Sequence, residues 1–495
     1  MKNAKKMIPI LLSAALILAV FTGCGTSTAV NNTETTETPS GTQITEVLET
    51  TEEKENADKE KGGTPPEKPD GNGPGGTPPG GAPGGKPGGS SSADLTYTAS
   101  AEITSSASES GKTYSSSAAD ESALLISTSG DVTVSDMTVT KTGDSDGGDS
   151  CNFYGLNAAV LVKDGANVTI EGGTVESSAD GANGIFCYGG NGGQNGASGD
   201  GTTLTIRNTK ITTTGDGSGG IMTTGGGITY AYDLEVETSG RSSAAIRTDR
   251  GGGTVVVDGG TYTSNGLGSP AIYSTAEITV SNATLVSNLS EGVCIEGKNS
   301  ITLIDCDLTA NNTKTNGNAT FLDTIMIYQS MSGDADSGTS SFTMEGGSLT
   351  SRSEHVFHVT NTNAVITLKN VTINNEDDDN ILLSVCDDGW SGASNIATLN
   401  ASEQQLSGAV LVGEGSTLTL SLSSGSSFEG CISGTVINNS GTIVSDTVGT
   451  VNVTLDSSST WTLTADSYVT SFSGNTSNVI TNGYTLYVNG TALTK

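Results

Sequence analysis

Hydrophobic positions recur along this chain with two beats that keep step. In the first, an apolar residue is followed five positions later by another apolar or aromatic one, often with a polar or glycine pair between. This ruler occurs at Val134/Val139, Ile170/Val175, Ile206/Ile211, Val257/Tyr262, Val280/Leu285, Leu303/Leu308, Met344/Leu349 and Leu368/Ile373, with Ala231/Val236 a weaker copy. The second members are spaced 36, 36, 25, 26, 23, 23, 41 and 24 residues apart. The basic period is therefore about two dozen residues, lengthened by insertions at 141–156, 189–201 and 310–341, and self-similarity at such a period is the signature of a solenoid.

The second beat is a short alternating run whose inward member falls at Val160, Ile185, Ile221, Ile246, Ile272, Val293, Ile327, Phe357 and Leu382. Runs such as Ile246 to Asp249 and Thr254 to Val257 are closed by glycines, which is how short strands between sharp bends are written. Stacked coils of this kind bury their inner faces only against their neighbours. The expectation is an all-β chain folded as a right-handed, single-stranded parallel β-helix, regular over residues 94–385. Over 386–495 the ruler weakens, although Leu418, Leu420 and Leu422 and then Val451, Val453 and Leu455 still alternate. Trp461, Tyr484 and Tyr487 are expected to cap the last coils against edge-to-edge association.

Before the coils the pattern is different. Three lysines within residues 2–6 precede the apolar run Met7 to Val20 and then Phe21-Thr22-Gly23-Cys24. A short basic region, an apolar segment and small residues before a cysteine make a secretory signal over residues 1–23. The segment resembles bacterial lipoprotein signals, in which the cysteine, here Cys24, is lipidated and begins the mature chain; Phe21 departs from the aliphatic residue usual three before it. Residues 24–93 are a Thr/Glu tract followed by a Pro/Gly tract, and neither can bury enough apolar surface to offset the entropy of ordering. They read as a tether reaching on the order of 200 Å. Display at the cell surface, with membrane contact through the lipid alone, follows as an expectation.

Composition narrows the partners. Charged residues make up 15% and aromatics 4% of the chain, and the formal net charge is −33. Such a surface repels phosphate backbones and anionic membranes, so nucleic-acid binding is excluded. The cysteines beyond Cys24 lack the spacing of a metal knuckle and are expected to be mainly reduced, with Cys294 and Cys306 the pair to test.

Candidate chemistry lies on the outward positions of the aligned strands. The residue after each inward one gives a column containing Arg247, Tyr273, Cys294, Tyr328 and His358, and two positions further on lie Asp249, Thr275, Glu296 and Ser330. Asp249 and Glu296 have one coil between them, hence backbones on the order of 10 Å apart. Two carboxylates near that separation, beside Arg247 and the rings Tyr273 and Tyr328, suit an inverting glycosidase cleft. They suit equally a face that holds glycan without cutting it. Asp249, Glu296 and Arg247 are thus the candidate catalytic residues, and Arg247, Asp249, Tyr273, Glu296, Tyr328 and His358 the candidate ligand-binding set. His355 and His358, three apart in a strand, are expected on opposite faces and so unable to chelate one metal. Asp144, Asp146 and Asp149 in the first insertion form an oxygen-rich loop able to hold Ca²⁺, though without EF-hand spacing.

The coils from Leu124 to Val385 resemble the pectate-lyase-like right-handed β-helix superfamily. With the leader and tether, the chain is similar to surface lipoproteins of Gram-positive anaerobes that bind plant or host polysaccharide or act as adhesins. The resemblance implies a fold that hosts lyases, hydrolases and binding proteins alike. The hydrolase motifs do not carry over: Asp387-Asp388 matches one of them, but no Gly-His-Gly or Arg-x-Lys partner is present. The reading is surface recognition of polysaccharide or a host glycan without catalysis, with a polysaccharide lyase or glycoside hydrolase as the alternative and a structural, protein-binding adhesin as a third.

Overall fold

The computed structural model describes residues 95–145, 147–192, 198–317, 319–390 and 393–494. The signal segment, Cys24 and the whole tether over residues 24–93, as well as Asp146, lie outside the described residues.

Each coil turns where the residue two after the first ruler position takes a left-handed backbone. Asp136, Asn208, Asp233, Asn282, Asp305 and Asn370 sit there with φ between 49° and 55°, except that Gly172, Gly259 and Gly346 replace them in three coils. An ordinary side chain costs about 1–2 kcal/mol in that conformation, whereas Asn and Asp bond locally and Gly has no Cβ. The polar or glycine pair inside the ruler is therefore a corner between two strands.

These corners generate a right-handed parallel β-helix. Thirteen parallel strands, from Glu102–Ile103 to Ile432–Ser433, form one sheet. Two further ladders flank the corners, one before and one after. They are continuous where Asp131–Lys141 and Asn167–Ser177 each run through the corner as a single strand. Alternation turns every second side chain inward. Val160, Ile185, Ile221, Ile246, Ile272 and Val293 stack in register down the first sheet, all essentially buried.

Register departs from expectation in two strands. Val293 pairs with Ile325 rather than Ile327, and Phe357 with Leu383 rather than Leu382. The strand Asp323–Tyr328 carries Ile at both 325 and 327, both facing inward, so the period of two alone does not choose between them. At Ile381–Val385 a bulge sets one extra residue against its partner strand. Tyr328 consequently lies in the row of Glu296, and Ser384 rather than Leu383 stands beside His358.

The insertions cover the outer face of the first sheet. The first contributes a short helix, Asp149–Tyr154, with Cys151, Asn152, Phe153 and Tyr154 buried. Phe153 and Tyr154 pack on the outward Leu161, Phe186 and Met222. The third contributes Phe321 and the segment from Gln329 to Asp334, and Trp390 closes over Tyr328 with ring centroids 5.3 Å apart. The outward side of this sheet is thus a second interior.

Candidate functional site

All six residues of the expected binding set lie on the covered side of the first sheet. Arg247 is 2% exposed, Asp249 3% and Glu296 0%, with Tyr273, Tyr328 and His358 likewise buried. The expectation of an open sheet face is corrected here, because the insertions roof it.

Beneath the roof, two charged centres form. Arg247 Nη2 lies 2.7 Å from Asp249 Oδ2, while Nη1 donates to Ser242 O at 3.0 Å and to Asn152 Oδ1 of the helix at 3.3 Å. Burial pushes the Asp249 carboxyl up to about 6 despite the opposing guanidinium. One residue further, Arg250 stacks on Phe153 at 4.2 Å and bonds Asp334 at 2.5 Å, so a single side chain ties the first and third insertions to the coil.

Glu296 accepts from Tyr273 Oη at 2.5 Å, Tyr328 Oη at 3.2 Å, Ser332 Oγ at 3.3 Å and, closest, Ser330 Oγ. Four hydroxyl donors fill the lone pairs of one carboxyl group. Desolvation still raises it to about 7. Asp249 and Glu296 are therefore each buried and committed to protein partners.

A third cluster was invisible in the sequence. His355 Nδ1 and His358 Nδ1 lie 2.8 and 2.7 Å from the same Ser384 Oγ. The two histidines converge rather than diverge, since alternation breaks at Val356–Phe357, both of which join the inner core. Phe321 stacks on His358, and Asp388 Oδ2 lies 3.7 Å from His358 Nε2, beyond a hydrogen bond. Burial drives His358 well below the usual histidine range and Asp388 up to about 7, which favours a neutral pair. Serine, histidine and aspartate meet here, but all three are buried, and the serine faces the ring nitrogen away from the aspartate. No spacing rule signals this group; it arises from the bulge and the third insertion.

Of the candidate calcium ligands, Asp146 lies outside the described residues. Asp144 accepts from the Asp180 N–H at 3.0 Å on an exposed corner. Asp149 sits in the helix among the charges of Asp334, Arg250 and Arg247, its carboxyl raised mainly by burial. Among the described residues, no three His, Cys, Asp or Glu side chains gather to hold a metal ion. Cys294 and Cys306 are both free and buried; Cys294 packs under the roof and Cys306 lies in the inner core.

Among the described residues, the exposed aromatic rings, Tyr468 and Tyr484, lie at the C-terminal strands. Trp461 is core, stacked on Phe428 at 5.6 Å with its indole N–H donated to Gly430 O. Tyr468 and Tyr487, register partners on adjacent strands, stack at 5.1 Å with ring planes 7° apart. Tyr468 is 41% exposed and nearby Tyr484 43%. Among the described residues, no helix is long and apolar enough to cross a membrane.

Comparison of the chain with protein families and with curated proteins finds no match.

Proposed function

We propose that this β-helix is a cell-surface recognition protein that holds carbohydrate without cleaving it, carried on a lipid at Cys24 and a tether over residues 24–93. The observation that carries the reading is the tyrosine group at the C-terminal strands. Rings are scarce in this chain and most of the described ones are buried, so the stacked pair Tyr468 and Tyr487, with Tyr484 exposed nearby, offers a surface whose energetic logic is a ligand with an apolar face and a polar rim. A pyranose ring offers axial C–H groups to such a ring and hydroxyls to its surroundings. Those surroundings are hydrogen-bonding: Thr485, Asp466 and Asn489 flank the tyrosines, with Asp466 Oδ1 already accepting from the Thr485 N–H.

Burial of Asp249 and Glu296 favours recognition over hydrolysis, because neither carboxylate reaches a solvent-borne bond. The likeness of the coils to pectate-lyase-like surface proteins agrees with this reading, as does the acidic surface. The test is affinity electrophoresis of the intact chain through gels containing soluble polysaccharides. Retardation by at least one polysaccharide is expected, reduced severalfold by the double change Tyr468→Ala and Tyr484→Ala. Retardation unchanged by that variant would remove the tyrosines from the site.

A further inference from the structure

One coil of the ladder before the corner departs from the rest on its outer face. The central outward row reads Thr133, Thr169 and Thr205, then Tyr230 and Val256, then Thr279, Thr302, Thr343 and Thr367. Threonine suits an exposed strand whatever its task. The two apolar members do not follow from the fold, because the coils on either side stack without them. The break extends along the strand Gly227–Tyr232, whose outward residues are Ile228, Tyr230 and Tyr232. Ile228 stands between Thr203 and Thr254 in its row, and Tyr232 between Arg207 and Asp258. Ile228, Tyr230, Tyr232 and Val256 are partly exposed, unlike Arg247, Tyr273 and Glu296 under the roof of the first sheet.

Arg207 sets the chemistry of this face. Four of the five arginines spend their guanidinium groups on the protein: Arg241 on Asn316, Arg247 on Asp249, Arg250 on Asp334 and Arg352 on Glu376. Among the described residues Arg207 makes no hydrogen bond or ion pair; its guanidinium lies over the Tyr232 ring, 3.8 Å from the centroid. Stacking fixes the plane of the group and leaves its fork of N–H donors unspent. The carboxylates on either side in the same row are engaged elsewhere, Glu171 accepting from Asn208 at 2.8 Å and Asp258 from Asn282 at 2.7 Å. An oriented guanidinium with no anion of its own, beside an aromatic ring, fits a ligand carboxylate held by two parallel hydrogen bonds.

Charge and spacing narrow the ligand further. The chain carries a net charge of −33, and Glu171 and Asp258 flank the row, so a polymer with a carboxylate on every residue is repelled. A single carboxylate at the end of a neutral chain meets Arg207 alone. Strands about 4.8 Å apart, with alternate residues about 7 Å apart along each, set Arg207 and Tyr230 about 8 Å apart on the diagonal. That is the span of one sugar ring with its substituents. Tyr230 offers an aromatic surface to ring C–H groups, Ile228 and Val256 offer apolar contact to a methyl group, and Thr203 and Thr205 border them with hydroxyls.

We infer that this face binds a chain-terminal acidic sugar, one that carries a single carboxylate and an N-acetyl group. The carboxylate sits on Arg207, the ring against Tyr230, and the acetamido methyl between Ile228 and Val256. The inference rests on the reading of the chain as a carbohydrate-binding protein, but on residues other than the C-terminal tyrosines, so the two can fail separately.

The test titrates the intact chain calorimetrically with 3′-sialyllactose, whose terminal sugar has this chemistry. Binding is expected. Lactose, the carboxyl methyl ester of the same trisaccharide and trigalacturonate are each expected to bind at least tenfold more weakly. Arg207→Gln is expected to weaken binding at least tenfold and Tyr230→Ala severalfold, whereas the double change Tyr468→Ala and Tyr484→Ala leaves it unaltered. Circular dichroism checks that the variants fold; should they not, the methyl ester against the unaltered chain decides alone. Absence of binding, equal binding of the methyl ester, tighter binding of trigalacturonate, or indifference to Arg207→Gln would each overturn the inference. So would loss of binding in the Tyr468 and Tyr484 variant but not in Arg207→Gln, which would move the acidic sugar to the C-terminal strands. Any of these results alongside undiminished retardation by a neutral polysaccharide would overturn this site and leave glycan recognition standing.

Discussion

Changing Glu296 to Gln is expected to stabilise the roof above neutral pH. The carboxyl is fully buried, and desolvation raises it from its ordinary 4.5 to about 7. A carboxyl that keeps its proton longer in the folded chain than in the unfolded one contributes stability that is fully present below pH 4.5 and is lost as pH rises through 7. The gap between the two values corresponds to about 3 kcal/mol, at roughly 1.4 kcal/mol per pH unit. Glutamine keeps the shape, has no charge to desolvate, and leaves Ser330, Ser332, Tyr273 and Tyr328 free to rotate their hydroxyls toward an amide. Because solenoid coils open locally, the measurement is hydrogen exchange of the strand Val293–Glu296 in variant and parent at equal pH. Near pH 4 the two should exchange alike; near pH 8 the variant should be more protected, by on the order of a hundredfold if opening of this strand exposes residue 296. A variant less protected than the parent at pH 8 would mean that the four hydroxyls hold an ionised carboxylate the fold needs, and would refute the reasoning.

Further perturbations probe other parts of the structure. Trp461→Ala empties a fully buried site against Phe428 and should cost about 3–5 kcal/mol, read as early thermal loss of the C-terminal strands. At the corners, Asn282→Val should cost about 1–2 kcal/mol from its left-handed backbone while Asn282→Gly stays within about 1 kcal/mol, compared by urea denaturation. Arg250→Met severs the bond to Asp334 and leaves a half-buried carboxylate unpaired; proteolysis at 329–338 should then accelerate several-fold, whereas an unchanged cleavage rate would show that the roof does not depend on that bond.

Much of the architecture is readable in the sequence. The five-residue ruler encoded a corner, since only Asn, Asp and Gly take its left-handed position in nine successive coils, and the second beat encoded the inner face of the first sheet. Register failed where local chemistry was degenerate, at Ile325 and Ile327, and where a bulge added a residue near Leu382. The candidate residues were correctly assigned to the outward side, and Arg247 does meet Asp249 as Tyr273 meets Glu296. Their burial was illegible, because insertions appear in a periodic pattern only as gaps; nothing in 141–156 or 310–341 announces that Phe153, Phe321 and Asp334 fold back over the sheet.

Recognition of carbohydrate without cleavage is best tested by incubating the intact chain with insoluble and gel-immobilised polysaccharides, with and without EGTA, and assaying both the retained protein and the sugars released. Retention on at least one polysaccharide, with no released oligosaccharide, is expected. Released oligosaccharide, abolished by changing Asp249 and Glu296 together, would contradict it and would mean that the roof opens to admit substrate.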